Sequence, residues 1–92
     1  MLANTAAANR DPEVFSDADR FDITRDNTVG TLSFGSGAHY CLGSHLARLE
    51  LTQGLTVMSQ RMPNLHRTGP APWPSMVGVT GPVSVPIEFD NS

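Results

Sequence analysis

The sequence predicts a mainly α chain with one small β hairpin, and an incomplete domain rather than a whole one. Three observations carry that expectation. Residues 42–61 have helical periodicity with apolar residues on two opposed faces. A tail rich in Pro and Gly, residues 63–92, holds two short β-prone runs. Residues 15–30 form a long polar stretch with scattered apolar anchors, more irregular chain than a small self-contained domain usually carries.

Taken in order, residues 1–9 are Ala-rich and include Asn4 and Asn9. They offer no clear N-cap and no periodic face, so they read as a frayed helix or the end of a strand. In "NRDPEVF", Pro12 keeps Asp11 out of helical angles, which makes a turn, and then suits the first turn of a short helix. "FSDADRFDITRDNTVG" reads as a meander anchored by Phe15, Phe21 and Ile23. Arg10, Arg20 and Arg25 are expected to pair with Asp17, Asp19 and Asp22, or with sequence beyond this chain.

In the helix, Leu42, Leu46, Leu49 and Val57 fall in one arc, and Ala47, Leu51, Leu55, Met58 and Met62 in the opposite one. An ordinary surface helix has a single apolar stripe. Two stripes call for cover on both sides, by a cofactor, another subunit or further sequence. Pro63 ends the helix. In the tail, "MVGV" and "VSVPIEF" are expected to pair across Thr80-Gly81-Pro82, with Pro86 making the second an edge strand. His66 is assigned to a loop, and Trp73, between Pro72 and Pro74, to packing rather than to a proline-rich ligand motif.

The net charge is −3, from nine acids and six bases, without a basic cluster. That argues against charge-driven binding of nucleic acid or anionic membrane. The apolar fraction is 39% before the eight glycines are counted, which is a globular composition. One cysteine cannot close an internal disulfide. The first residues lack the basic start and apolar run of a signal peptide. No apolar stretch approaches the roughly 20 residues of a membrane span. A cytoplasmic, reducing setting is the expectation.

The stretch "FGSGAHYCLG", residues 34–43, carries the chemistry. Cys41 is expected in the first turn of the helix, with the amides of Leu42, Gly43 and Ser44 aimed at its sulfur. Those donors and the helix dipole favour a thiolate, and a buried thiolate calls for a metal. Gly35 and Gly37 allow a tight turn with positive φ. Gly43 clears the far side, so a large flat object can approach the backbone against a wall of Phe34, Leu42 and Leu46. His39 can donate to an anionic edge. Blander readings exist: Cys41 as a small buried apolar residue, His39, Cys41 and His45 as a zinc or copper site with too few ligands, and Asp17, Asp19 and Asp22 as a calcium loop without the glycine and final Glu it needs.

"FGSGAHYCLGSHLARLE" resembles the haem-binding loop of the cytochrome P450 family, F-G-x-G-x-H/R-x-C-x-G. Phe34, Gly35, Gly37, His39, Cys41 and Gly43 match it, and Leu46-Ala47-Arg48 with Glu50 is similar to soluble bacterial members. "AANRDPEVFSDADRFDITR" resembles the meander before that loop, and the tail the terminal hairpin. The resemblance implies the C-terminal portion of the P450 fold: meander 1–33, haem-ligand loop 34–43, the helix of 42–61 and terminal strands within 63–92. It implies haem b, with Cys41 as the axial thiolate ligand of the iron. His39 would bond a haem propionate, Phe34 would shield the iron–sulfur bond, and the three glycines would permit the approach. Val79 would face the substrate.

The implied activity is that of a monooxygenase, moving oxygen from O2 into a small organic substrate with electrons from a ferredoxin or flavin-type donor. The family's acid–alcohol pair for proton delivery and its E-x-x-R pair are absent from these 92 residues. The chain is therefore expected to be a C-terminal quarter with little turnover by itself, completed by an N-terminal portion. The alternatives are a haem-binding fragment without catalysis and a remnant without function.

Overall fold

The computed structural model describes residues 1–26, 30–74 and 80–91. Its backbone groups into two units, Met1–Ala47 and Arg48–Ser92. As expected, the regular structure is mostly helix, with one small antiparallel strand pair.

In the first unit, helix α1 spans Thr5–Ala8, and it does have an N-cap. The Asn4 side chain accepts the Ala7 N–H at 3.0 Å, satisfying one of the amides a helix start leaves unpaired. Asn9 closes the other end, its N–H donating to the Thr5 carbonyl. Pro12 opens a single turn rather than a helix. The Asp11 carboxylate accepts the Glu13 N–H at 2.9 Å, while the Asp11 carbonyl accepts from Val14 and Phe15.

The meander that follows is held by polar groups. Arg10 meets Asp19 at 3.2 Å and Arg20 meets Asp17 at 3.9 Å. Both pairs are largely exposed, so each contributes about 1 kcal/mol or less. Arg25 departs from the expected acid pairing and donates to the carbonyls of Ser16, Asp17 and Arg20. Asp22 accepts the Thr24 hydroxyl at 2.6 Å and the Thr24 amide at 2.9 Å. The hydroxyl first, then the amide, hold its carboxyl below the ordinary aspartate range, and the charge of Arg25 adds to them.

Helix α2 spans Ser44–Arg61, starting two residues later than predicted. The Gly43 carbonyl accepts the Ala47 N–H at 2.9 Å, which puts Gly43 at the N-cap and leaves Cys41 and Leu42 ahead of the helix. Thr52, Thr56 and Ser59 turn their hydroxyls back onto the carbonyls of Arg48, Thr52 and Thr56. Pro63 and Asn64 stop the helix. Asn64 takes φ 57°, a left-handed conformation that Asn tolerates better than other residues with a side chain.

In the second unit, β1 (His66–Arg67) pairs antiparallel with β2 (Ile87–Glu88), His66 opposite Glu88 and Arg67 opposite Ile87. The first strand of the predicted pair, residues 76–79, lies outside the described residues. Among the described residues, the second run is a strand at Ile87–Glu88 and pairs with the stretch holding His66, which is a strand residue rather than a loop residue. Proline supplies the reason. Pro86 has no N–H to donate, so β2 begins after it, and its carbonyl accepts the Thr68 N–H at 3.1 Å. The Asp90 N–H to the Pro63 carbonyl and an Asn64–Asp90 side-chain bond close the ends together.

Among the described residues, no apolar side chain is buried; Ser44, at 2% exposure, is the buried residue. Leu46, Leu49 and Val57 on one face of α2 are exposed, and so are Leu51 and Leu55 on the other. Trp73 is exposed as well. The helix thus shows the two uncovered stripes that the periodicity predicts. Covering one such leucine contributes about 1.5–3 kcal/mol.

Candidate functional site

The site is residues 32–44, inside the first unit. Its frame is one peptide plane, the Phe34–Gly35 peptide. The Gly35 N–H donates to the Leu32 carbonyl at 3.0 Å, and the Phe34 carbonyl accepts the Cys41 N–H at 2.9 Å. A peptide unit is rigid and planar, so the turn at 32–35 and the backbone of Cys41 are tied to the same plane. Gly35 at φ 78° and Gly37 at φ 69° make the chain double back, in a region where a side chain would be strained. Residues Gly37–His39 then form one 3-10 turn, closed by the Tyr40 N–H on the Gly37 carbonyl at 3.1 Å. The Phe34 and Tyr40 rings lie 6.4 Å apart at 59°.

Cys41 is an exposed free thiol. Leu42 beside it is exposed at 101% of its reference area, and Leu46, one turn into α2, is exposed too. His39 is exposed, while Phe34 and Gly35 are half-buried. The expected fan of amides toward the sulfur is corrected at Ser44, whose N–H donates to the Cys41 carbonyl at 3.3 Å. Gly43 differs from the other two glycines in that its φ is not positive. A Cβ there would sit 3.8 Å from Cys41 Sγ, an ordinary contact, so the chain's own atoms leave room for a side chain at that position.

The structure therefore brings Phe34, Gly35, Gly37, His39, Cys41 and Gly43 into one loop. Val79 lies outside the described residues. Among the described residues no group of three His, Cys, Asp or Glu side chains could hold a metal ion, so His39, Cys41 and His45 do not form a bare-metal site, nor do Asp17, Asp19 and Asp22. Chemically, the loop offers a single sulfur, flanked by exposed leucines and bare backbone, to something outside the chain.

Sequence reasoning missed Asn9 as part of this site. Its side-chain oxygen accepts the Leu32 N–H at 2.7 Å and its amide nitrogen donates to Ser33 Oγ at 3.2 Å. The partners lie 23 and 24 residues away. The available signal was an amide side chain just past an Ala run, which sequence alone ties to nothing so remote.

The sequence model of the family described as "Cytochrome P450" matches residues 1–76. The chain is 45% identical over 82 residues to luteothin monooxygenase of Streptomyces thioluteus, covering 89% of this chain and 20% of that protein. It is 45% identical over 92 residues to cytochrome P450-terp of a Pseudomonas species, covering 100% of this chain and 21% of that one. Among solved structures it is similar to P450BioI, crystallised with an acyl carrier protein bearing hexadec-9Z-enoic acid, with a TM-score of 0.84, 42% identity and coverage of 94% of this chain and 22% of that one. It is also similar to cytochrome P450 CYP109Q5 from Chondromyces apiculatus, with a TM-score of 0.86, 39% identity and coverage of 96% and 23%. The chain belongs to the cytochrome P450 family. It spans about a fifth of the length of the curated relatives it matches.

Proposed function

We propose that these residues are the C-terminal, thiolate-bearing part of a haem monooxygenase, and that Cys41 is the residue whose sulfur would hold the iron of haem b. One observation carries the reading: an exposed thiol stands beside a glycine, Gly43, that nothing in the chain's own packing requires. A flat prosthetic group close to the sulfur supplies that requirement. The donor set fits too, because a lone thiolate suits an iron already held by porphyrin nitrogens.

When bound, haem supplies O2 activation: one oxygen atom enters an organic substrate and the other leaves as water, using two electrons and two protons. The chain's own residues hold and orient. Gly35 and Gly37 shape the loop that carries Cys41. With haem bound, Phe34 and Leu42 would wall it and shield the iron–sulfur bond. His39 would donate to a haem propionate. A ferredoxin or flavin-type protein delivers the electrons. The matched proteins include one named a monooxygenase and one a hydroxylase/epoxidase, and we extend oxygenation of a small organic substrate from them to the protein these residues serve.

Turnover by the 92 residues alone is expected to be negligible, since they span a fifth of the relatives and leave their apolar side chains uncovered. No helix among the described residues is long and apolar enough to cross a membrane. A lone thiol that must stay reduced suits the cytoplasm.

The test is anaerobic reduction of the haem-reconstituted chain under carbon monoxide. A strongly red-shifted Soret band, lost in Cys41→Ser, is expected. A wild-type chain that gives no Soret band with added haem overturns haem binding by the isolated chain, and a red-shifted band that persists in Cys41→Ser overturns the assignment of Cys41.

A further inference from the structure

We propose that Asn9 is a positioning residue for Cys41, acting through a relay of backbone hydrogen bonds. The relay has three steps. The Asn9 side-chain oxygen accepts the Leu32 N–H at 2.7 Å. The carbonyl of the same Leu32 accepts the Gly35 N–H at 3.0 Å. The Phe34–Gly35 peptide to which that N–H belongs accepts the Cys41 N–H at 2.9 Å on its other edge.

Each link fixes the next. A backbone N–H can only donate, so Leu32 sets which end of the Asn9 amide faces it, and the NH2 end then meets Ser33 Oγ at 3.2 Å. Asn9 is itself anchored, because its own N–H closes α1 on the Thr5 carbonyl at 3.0 Å. Gly35, at φ 78°, has little intrinsic preference between hands, so its conformation depends on what holds its neighbours. Asn9 holds Leu32, whose carbonyl accepts the Gly35 N–H. A shift at Leu32 tilts the shared peptide plane and moves the amide of Cys41 with it. The service of this relay to haem iron rests on the function proposed above; the relay itself does not.

The test is residue-resolved amide hydrogen exchange on the full 92-residue chain, comparing wild type with Asn9→Leu, Asn9→Asp and Ser33→Ala. Wild type is expected to protect the amides of Leu32, Gly35 and Cys41. Asn9→Leu is expected to speed exchange at all three by about three- to tenfold, the worth of one typical hydrogen bond, while Leu51 and Leu55 in α2 keep their rates. Asn9→Asp retains an acceptor for Leu32 and restores protection at Cys41 to within about twofold, and Ser33→Ala changes it by no more than about twofold.

No protection in wild type, an unchanged Cys41 in Asn9→Leu, equal acceleration in α2, or failure of Asn9→Asp to rescue overturns the proposal. The expected exchange pattern in a chain that shows no thiolate–haem band would sink haem binding by the isolated chain and leave the hold of Asn9 on Cys41 standing.

Discussion

The Cys41 loop and helix α2 adjoin in sequence but differ in what they require. In residues 32–43 the shape comes from backbone: two positive-φ glycines, one 3-10 turn and a doubly bonded peptide plane. Little of it depends on apolar contact. In α2 the backbone is satisfied by the helix itself, whereas the side chains are not, with Leu46 and Leu49 exposed on one face and Leu51 and Leu55 on the other. The site's geometry is therefore written locally, and its stability is borrowed from whatever covers the helix. An 18-residue helix without that cover is marginal in water.

The largest effect that could break this contrast lies in the helix. Leu51→Ser with Leu55→Ser is expected to change the chain's own unfolding free energy by about 0.5 kcal/mol or less, as exposed substitutions do. In a chimera in which these residues replace the matching fifth of luteothin monooxygenase, each change should cost about 2–5 kcal/mol, because the faces are then covered. Urea unfolding of both proteins decides it, and equal costs in the two contexts would erase the distinction. Next in size is Gly35→Val. A β-branched residue at φ 78° costs about 1–3 kcal/mol and disorders the loop with or without haem. Gly43→Val sharpens the same point, since it should weaken haem binding while leaving the Cys41 amide as protected as in wild type.

Smaller still is Asn64→Ala, which loses an easy left-handed residue and the bond to Asp90, for about 1 kcal/mol in the second unit. Asn64→Gly should recover part of it, read by exchange at Asp90. The smallest effect is at Asp22. Its folded carboxyl titrates below its unfolded value, so the stability it contributes is present above the unfolded value and is lost as pH falls through the folded one. Thr24→Val removes the principal cause and should move the Asp22 carboxyl, followed by NMR titration, back up toward the ordinary aspartate range.

The same contrast explains what could be read from sequence. Gly35, Gly37 and the stop at Pro63 act within a few residues of themselves, so their consequences were legible. The two stripes of α2 were legible because helical periodicity is local. The start of α2 was read two residues early because Leu42 continues the apolar period, although the Ser44 amide turns back to Cys41 first. The pairing of His66–Arg67 with Ile87–Glu88 was missed for the opposite reason. "VSVPIEF" has β propensity, but its described partner residues lie 20 and 22 positions away, held by Asp90 on Pro63 and Thr68 on Pro86. Asn9 was passed over on the same ground, as was Arg25, whose carbonyl partners carry no side-chain signature.

The most direct measurement of the central claim is iron-edge X-ray absorption on the haem-loaded polypeptide carrying residues 1–92. The account predicts one sulfur among the atoms bound to iron in wild type and none in Cys41→Ser. A wild-type iron bound only by nitrogen and oxygen, or a sulfur that persists after Cys41 is replaced, would contradict it.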